Sequence, residues 1–236
     1  MGSAVVTKQR ILDAAERAFG TYGFAQTTLR SIVKDAGVNL ALVNYHFGSK
    51  EELYQAVVAR MAEPIIERQL AALSKIEPAV EKPSLEAVLE AYIRPGIDYL
   101  LNDKQTALER AKFFARYFME PVSVQKLTDR EFAESDARFL DMLQRAVPEQ
   151  SRIQLTWKLE TIVLVLVRAM GQIGQPHALI KSYSKTDIDA AVAELVSFSA
   201  YGVKGEQEEQ RFKSNKADKQ KTNDPPTTDD ALYQRR

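Results

Sequence analysis

The chain predicts an all-α protein of about nine helices, and three observations carry that prediction. Apolar residues return at helical spacing along nearly the whole of the 236 residues. No segment alternates apolar and polar residues as a half-buried strand would. Between the periodic stretches stand capping residues, glycines and prolines where helices start and stop.

Taken in order, the first helix is expected near 7–22, where Ile11, Ala15 and Phe19 recur at four-residue steps and Leu12 and Ala18 fill the same side. Thr27 or Thr28 can cap a second, whose Leu29, Ile32, Val33 and Ala36 share one face. Gly37 supplies the left-handed residue that ends it and turns the chain into a third. In that helix Leu42, Val43 and Phe47 gather on one side, and Leu40, Ala41, Asn44 and Tyr45 on the other. One side packs and the other is free to touch a partner. After Gly48, Ser49 caps a helix over about 50–74, with Glu51 and Glu52 suiting its positive end and Pro64 expected to kink it. Pro78 and Pro83 mark a linker. Ser84 opens a helix to about 102 that Pro95-Gly96 should interrupt. Further helices are expected at 104–119, 124–146, 150–172 and 186–203. The apolar run from Thr161 to Val167 could pass for a strand, but helix formers on both sides favour a buried helix. From 204 the composition turns polar, with Pro225-Pro226, and 204–236 reads as a disordered tail.

Two short helices about a tight turn are the layout of a helix-turn-helix DNA reader. The chain resembles the TetR family of bacterial transcriptional repressors over about 7–54. The resemblance rests on Ile-Leu-Asp-Ala-Ala-Glu at 11–16, the turn from Phe19 to Phe24 with Gly20 and Gly23, and Thr27-Thr28. It also rests on Ala36-Gly37-Val38 and Tyr45-His46-Phe47-Gly48-Ser49-Lys50-Glu51. Residues 38–50 are similar to a branch of that family that includes fatty-acid-responsive repressors. The resemblance implies a DNA-binding domain over 1–52, a helical ligand-binding and dimerisation domain over 53–203, and the tail beyond.

Aligned on the family motif, Leu40, Ala41 and Asn44 occupy the positions that approach bases. Asn44 can make the paired hydrogen bonds that adenine offers, and Leu40 and Ala41 can meet thymine methyls. Family members often carry Lys and Tyr where this chain has Leu40 and Asn44, which implies a readout with few charges. Phosphate contacts are expected from Thr27, Thr28, Tyr45, His46 and Lys50, with Arg30 and Lys8 behind them. The bland alternatives are a cap for Thr28, a solvated ring for Tyr45 and a core histidine for His46.

Charge and composition set limits. The net charge is zero, and residues 1–55 hold six cations against five carboxylates, so affinity for a polyanion must come from a few placed contacts and from pairing of subunits. With no cysteine there is no disulfide, zinc-thiolate site or thiol nucleophile. Two histidines, His46 and His177, leave little for metal or nucleophilic catalysis, and Gly171-Gln-Ile-Gly174 is too sparse to cradle phosphate. No cofactor, metal site or enzymatic activity is expected. No run approaches the roughly 18 apolar residues that span a bilayer, and no secretory signal is recognised, which gives a cytoplasmic expectation.

Residues 84–119 hold Tyr92 and Ile97 and then Phe113, Phe114, Tyr117 and Phe118, the last four one broad aromatic stripe that is either core or the wall of a cavity. The resemblance implies a ligand cavity here, and Pro95-Gly96 would leave space for one. Trp157 joins the candidate lining, and Arg94, Arg116, Arg168 and His177 are candidate partners for an acidic head, so an amphipathic or aromatic acid is the expected effector. The helices at 150–172 and 186–203 are expected to form a homodimer, the second through Ile188, Val192, Leu195, Val196 and Ser199. Ligand binding would shift the helix at 50–74 and release a palindromic operator. The rival from another class is a helical adaptor with weakened DNA binding, to which the near-balanced charge of 1–55 lends support.

Overall fold

The computed structural model describes residues 2–77, 82–102, 104–173 and 175–221. Among the described residues there are ten helices and no strand: α1 Gly2–Gln26, α2 Leu29–Ala36, α3 Leu40–Phe47, α4 Lys50–Leu73, α5 Leu85–Leu101, α6 Lys104–Met119, α7 Val122–Gln125, α8 Asp129–Ala146, α9 Arg152–Met170 and α10 Lys185–Lys221. None of the described helices is long and apolar enough to cross a membrane.

The first three helices pack as a small unit because each presents one apolar face. Ile11, Ala15, Phe19, Ile32 and Val43 are all within 1% of full burial. Thr28 caps α2 by accepting from the Ser31 amide, and Ser31 returns the bond to the Thr28 amide. Asn39 caps α3 by accepting from the Leu42 amide at 3.0 Å. Gly37, at φ 61°, ends α2 in the left-handed conformation the sequence required. The Arg10 guanidinium donates to the carbonyls of Ala36 at 2.6 Å and Gly37 at 3.3 Å, holding this turn to α1.

α4 joins the unit to the rest without a break. The expected boundary at 52/53 falls inside its first turn, and the helix runs through Pro64. Arg60, on α4, reaches back to Asp13 at 2.7 Å and to Glu16. The remaining helices bury a second, larger core, with Leu89, Ile93, Ile97, Phe139 and Leu155 at its centre. Lys158 is buried between α9 and α10, where its Nζ donates to Gln150 Oε1 at 2.5 Å and to the Val203 carbonyl at 3.0 Å.

Three expectations need correction. α5 continues through Pro95-Gly96, because a proline near the middle removes one bond while burial of Tyr92, Ile93, Ile97 and Leu100 holds both halves in place. The helix expected at 124–146 is two, α7 and α8, separated by a turn at residues 126–128. α10 extends to Lys221, well past 203, because residues 204–221 hold no proline and are rich in Lys, Glu and Gln, which favour helix. The rest of the expected tail, 222–236, lies outside the described residues.

Candidate nucleic-acid interface and ligand cavity

On α3 the division of faces is sharp. Val43 is fully buried and Phe47 8% exposed, while Tyr45 is 82% and Leu40 39% exposed. Ala41 and Asn44 are exposed beside them. Leu40, Ala41, Asn44 and Tyr45 therefore form one outward surface. The Tyr45 ring meets His46 edge-on at 5.1 Å, and His46 is half-buried. Lys50 lies in the first turn of α4, its ammonium 4.3 Å from the centre of the Phe24 ring, and Lys8 lies over Phe47 at 5.8 Å. Arg30 and Thr28 are exposed on α2 and its cap.

Thr27 is the exception. It is 1% exposed, and its hydroxyl sits 2.7 Å from the Gly23 carbonyl and 3.1 Å from that of Ala18, both within donating reach. Its side chain closes the turn between α1 and α2 from within, so the phosphate contact expected of it is withdrawn.

The same turn is gripped from outside by α6. Gly23 adopts φ 77°, ψ 174°, a conformation open to glycine alone. The Phe24 amide donates to Glu120 Oε1 at 2.7 Å, just past the end of α6, and Arg116 donates to the Tyr22 carbonyl at 3.1 Å. Higher on α6, the backbone of Phe113 lies so close to Gly20 that a Cβ there would stand 3.3 Å from it. Arg116 and Phe113, both expected at a ligand, thus face α1.

A cavity of about 560 Å³ lies on the other side of α6, lined by α4, α5, α6, α7, α8 and α9. Its apolar wall includes Ile65, Leu100, Phe114, Phe118, Phe132 and Val163. Tyr92 and Tyr117 line it as expected, and Gly96 supplies the space predicted near Pro95. The polar lining is Gln69, Gln125, Asp129, Asp136 and Glu160, none of which the sequence reading singled out. A signal was present: Asp136 interrupts the apolar stripe of Phe132, Phe139 and Leu140 on α8, where a solvated face would not place it.

The other candidate ligand residues lie elsewhere. Ile97 is fully buried in the core and does not reach the cavity. Arg94 is paired with Glu90 at 2.9 Å and with Asp189 at 2.8 Å, tying α5 to α10. Arg168 and His177 are exposed. Trp157 is 64% exposed on the outer face of α9, in a stripe with Ile153 at 83% and Leu164 at 48%. On α10, Phe198 and Tyr201 are also exposed, at 61% and 73%, whereas Val192, Leu195, Val196 and Ser199, expected to pair subunits, are buried within the subunit, because α10 turns that face onto α5 and α9. Among the described residues no Lys, Arg or His lines the cavity, so the expectation of cations awaiting an acidic head is not met.

Burial first, and the nearby Glu160 carboxylate second, push the Asp136 carboxyl up to about 6. Burial likewise raises the Tyr92 phenol, with Asp136 and Glu160 adding to the effect.

Comparison with known proteins agrees with this architecture. The family model described as bacterial regulatory proteins, tetR family, matches residues 11–57. A second, described as tetracyclin repressor-like, C-terminal domain, matches residues 90–202. The HTH-type transcriptional regulatory protein RaaS of Mycobacterium tuberculosis is 41% identical over 113 residues, 48% of this chain and 52% of that protein. The uncharacterized HTH-type transcriptional regulator TtgW of Pseudomonas putida is 35% identical over 102 residues, 39% of this chain and 76% of that protein. The aligned stretch spans about half the length of the first of these. A TetR-like transcriptional regulator from Rhodococcus sp. RHA1 shares the fold at a TM-score of 0.56 and 18% identity, over 87% of this chain and 99% of that one.

Proposed function

The chain belongs to the TetR family of bacterial regulatory proteins, and from that premise we propose that it is a ligand-responsive repressor that reads a palindromic operator as a homodimer. One observation carries the proposal: α3 keeps Val43 and Phe47 in the core while presenting Leu40, Ala41, Asn44 and Tyr45 to solvent. A helix anchored on one side with an unoccupied opposite face is what a major groove accepts. Asn44 is the base reader, able to pair with an adenine edge, and Leu40 and Ala41 meet thymine methyls. Tyr45, His46, Lys50, Thr28 and Arg30 position the backbone. Lys50 does so from the first turn of α4, where exposed amides already favour an anion.

The exposed stripes on α9 and α10 support a second copy of the chain as the partner. Ile153, Trp157 and Leu164, with Phe198 and Tyr201, form apolar surface that a monomer would leave in water. Helix pairs from two subunits closing into a four-helix bundle would bury it. A twofold dimer then sets two α3 helices about 34–36 Å apart, matching successive grooves.

The effector occupies the cavity. Ala62, Ile65, Ile66 and Gln69 of its wall belong to α4, which begins at the reading head. Phe114, Tyr117 and Phe118 belong to α6, whose far face holds the α1 turn through Arg116 and Glu120. A ligand that parts these helices moves the head by both routes. A coupling of about 1–3 kcal/mol lowers operator affinity by about 5–150-fold.

The test is a gel shift of the purified chain on fragmented genomic DNA with unlabelled competitor. Retention of a discrete fragment carrying an inverted repeat, at moderate salt, is expected. Uniform retention lost with salt, or no retention at any salt, would refute the reading.

A further inference from the structure

The cavity is built to receive positive charge. Most of the donors among its polar groups are already engaged. Gln69, 93% buried by its 7% exposure, donates its amide nitrogen to the Tyr92 carbonyl at 2.8 Å. Gln125 donates to the carbonyls of Phe118 at 3.3 Å and Glu120 at 2.9 Å. Thr128 directs its proton to the Gln125 carbonyl at 2.9 Å, so the Tyr117 hydroxyl, 3.0 Å away, must direct its own to Thr128. The Gln125 amide and the Tyr117 phenol are left with only oxygen lone pairs for a ligand, and Gln69 keeps one N–H beside its carbonyl oxygen.

Three carboxylates complete the lining, Asp129 and Asp136 on α8 and Glu160 on α9. Asp129 and Glu160 are exposed and Asp136 is half-buried, and among the described residues none of the three has a hydrogen-bonding or ionic partner, whereas Asp13 pairs with Arg60 and Glu77 with Arg138. Tyr92 is 8% exposed and lines the same space, and its hydroxyl has no hydrogen-bond partner among the described residues. Among the described residues that phenol and the second N–H of Gln69 are the uncommitted donors, and neither carries a charge to neutralise three acids. Around them stand Phe114, Phe118 and Phe132 with the two tyrosine rings, whose faces attract cations.

Resting on the proposal that an effector occupies this cavity, we infer that the effector is an amphipathic aromatic or alkyl cation, held by Asp136 and Glu160 and enclosed by the aromatic wall. A fatty or aromatic acid would bring a fourth negative charge to a site where no described residue supplies a cation to meet it. A lipophilic onium or protonated amine meets carboxylates at its head and rings along its body. The volume of about 560 Å³ lies within the ordinary range for small-molecule sites.

Two ions of nearly the same shape and opposite charge test this. Tetraphenylphosphonium and tetraphenylborate are titrated into the full-length wild-type protein by isothermal calorimetry, without DNA. Saturable binding of the phosphonium at one per subunit is expected, with the borate weaker by about tenfold or more. In the near-isosteric Asp136→Asn/Glu160→Gln protein, phosphonium affinity should fall by about tenfold or more. A thermal melt of that protein confirms folding, and the wild-type comparison needs no variant at all. Equal or tighter binding of the borate overturns the inference, as does undiminished phosphonium affinity in the double variant or no binding of either ion. Since the titration contains no DNA, its failure and that of the gel shift are independent. A cation site without operator binding would sink the regulatory reading alone.

Discussion

Replacing Gly23 by alanine should loosen the joint between the reading head and the cavity domain. Gly23 sits at φ 77°, ψ 174°, a region that costs an L-residue about 1–3 kcal/mol. An added Cβ would stand 2.6 Å from Glu120 Oε1 and 2.7 Å from Arg116 Nε, so both side chains must withdraw. Withdrawal gives up the bond from the Phe24 amide to Glu120, 2.7 Å and partly buried, and the bond from Arg116 to the Tyr22 carbonyl. A hydrogen bond to a charged group contributes about 1.5–3 kcal/mol, and the lower end suits a site half open to water. The expected total is about 2–5 kcal/mol, or a melting temperature lower by about 5–15 °C in a chain of this length. Circular dichroism through a thermal ramp reads it. Glu120→Ala alone should cost about 1–2 kcal/mol, and the double variant should fall short of the sum, since the clash is then gone. A Gly23→Ala protein melting within about 2 °C of wild type would show that neither the backbone nor the clasp matters as argued.

Three further outcomes follow from the same geometry. Asn44→Ala should weaken the operator complex by about 1–3 kcal/mol in fluorescence anisotropy and leave the melting temperature unmoved, because the side chain is exposed; parallel losses in both would place Asn44 in the fold. Thr27→Val should cost about 1–3 kcal/mol of stability, since the Gly23 and Ala18 carbonyls lose their buried donor, whereas an unchanged melt with weakened DNA binding would restore Thr27 as a phosphate contact. Asp136 titrates at about 6, above its unfolded value, so the folded state holds its proton more tightly. Its contribution to stability is present at low pH and lost as pH rises through about 6. It faces Tyr92 of α5, Tyr117 of α6 and Glu160 of α9, with no cation among them. Asp136→Asn should therefore raise the melting temperature at pH 7.5 and give a smaller gain at pH 5. An equal gain at both would mean that ionisation is not the cause.

The small helices were legible because local rules govern them. Thr28 and Ser49 cap α2 and α4, and Gly37 ends α2, each through bonds within a few residues. The two faces of α3 also followed from spacing, since a helix of eight residues has no other way to arrange Val43 and Phe47 against Asn44 and Tyr45. The stripe of α6 was visible too, but its division was not. Phe113 and Arg116 turn to α1 while Phe114 and Tyr117 turn to the cavity, and periodicity alone cannot say which neighbour stands on which side. Trp157 shows the same limit: an aromatic residue on an amphipathic helix can face a core, a ligand or a partner.

From its residues alone, the chain settled the all-helical architecture and the outward face of α3, because capping, turn chemistry and helical period act over a few positions. Only the tertiary structure decided the chemistry of the cavity. Arg94 and Arg116, expected to meet an acid, are drawn away to Glu90, Asp189 and the Tyr22 carbonyl, and Asp136 and Glu160 arrive from different helices at the cavity. Charge along a sequence is a sum, whereas charge in a site depends on which side chains packing brings together.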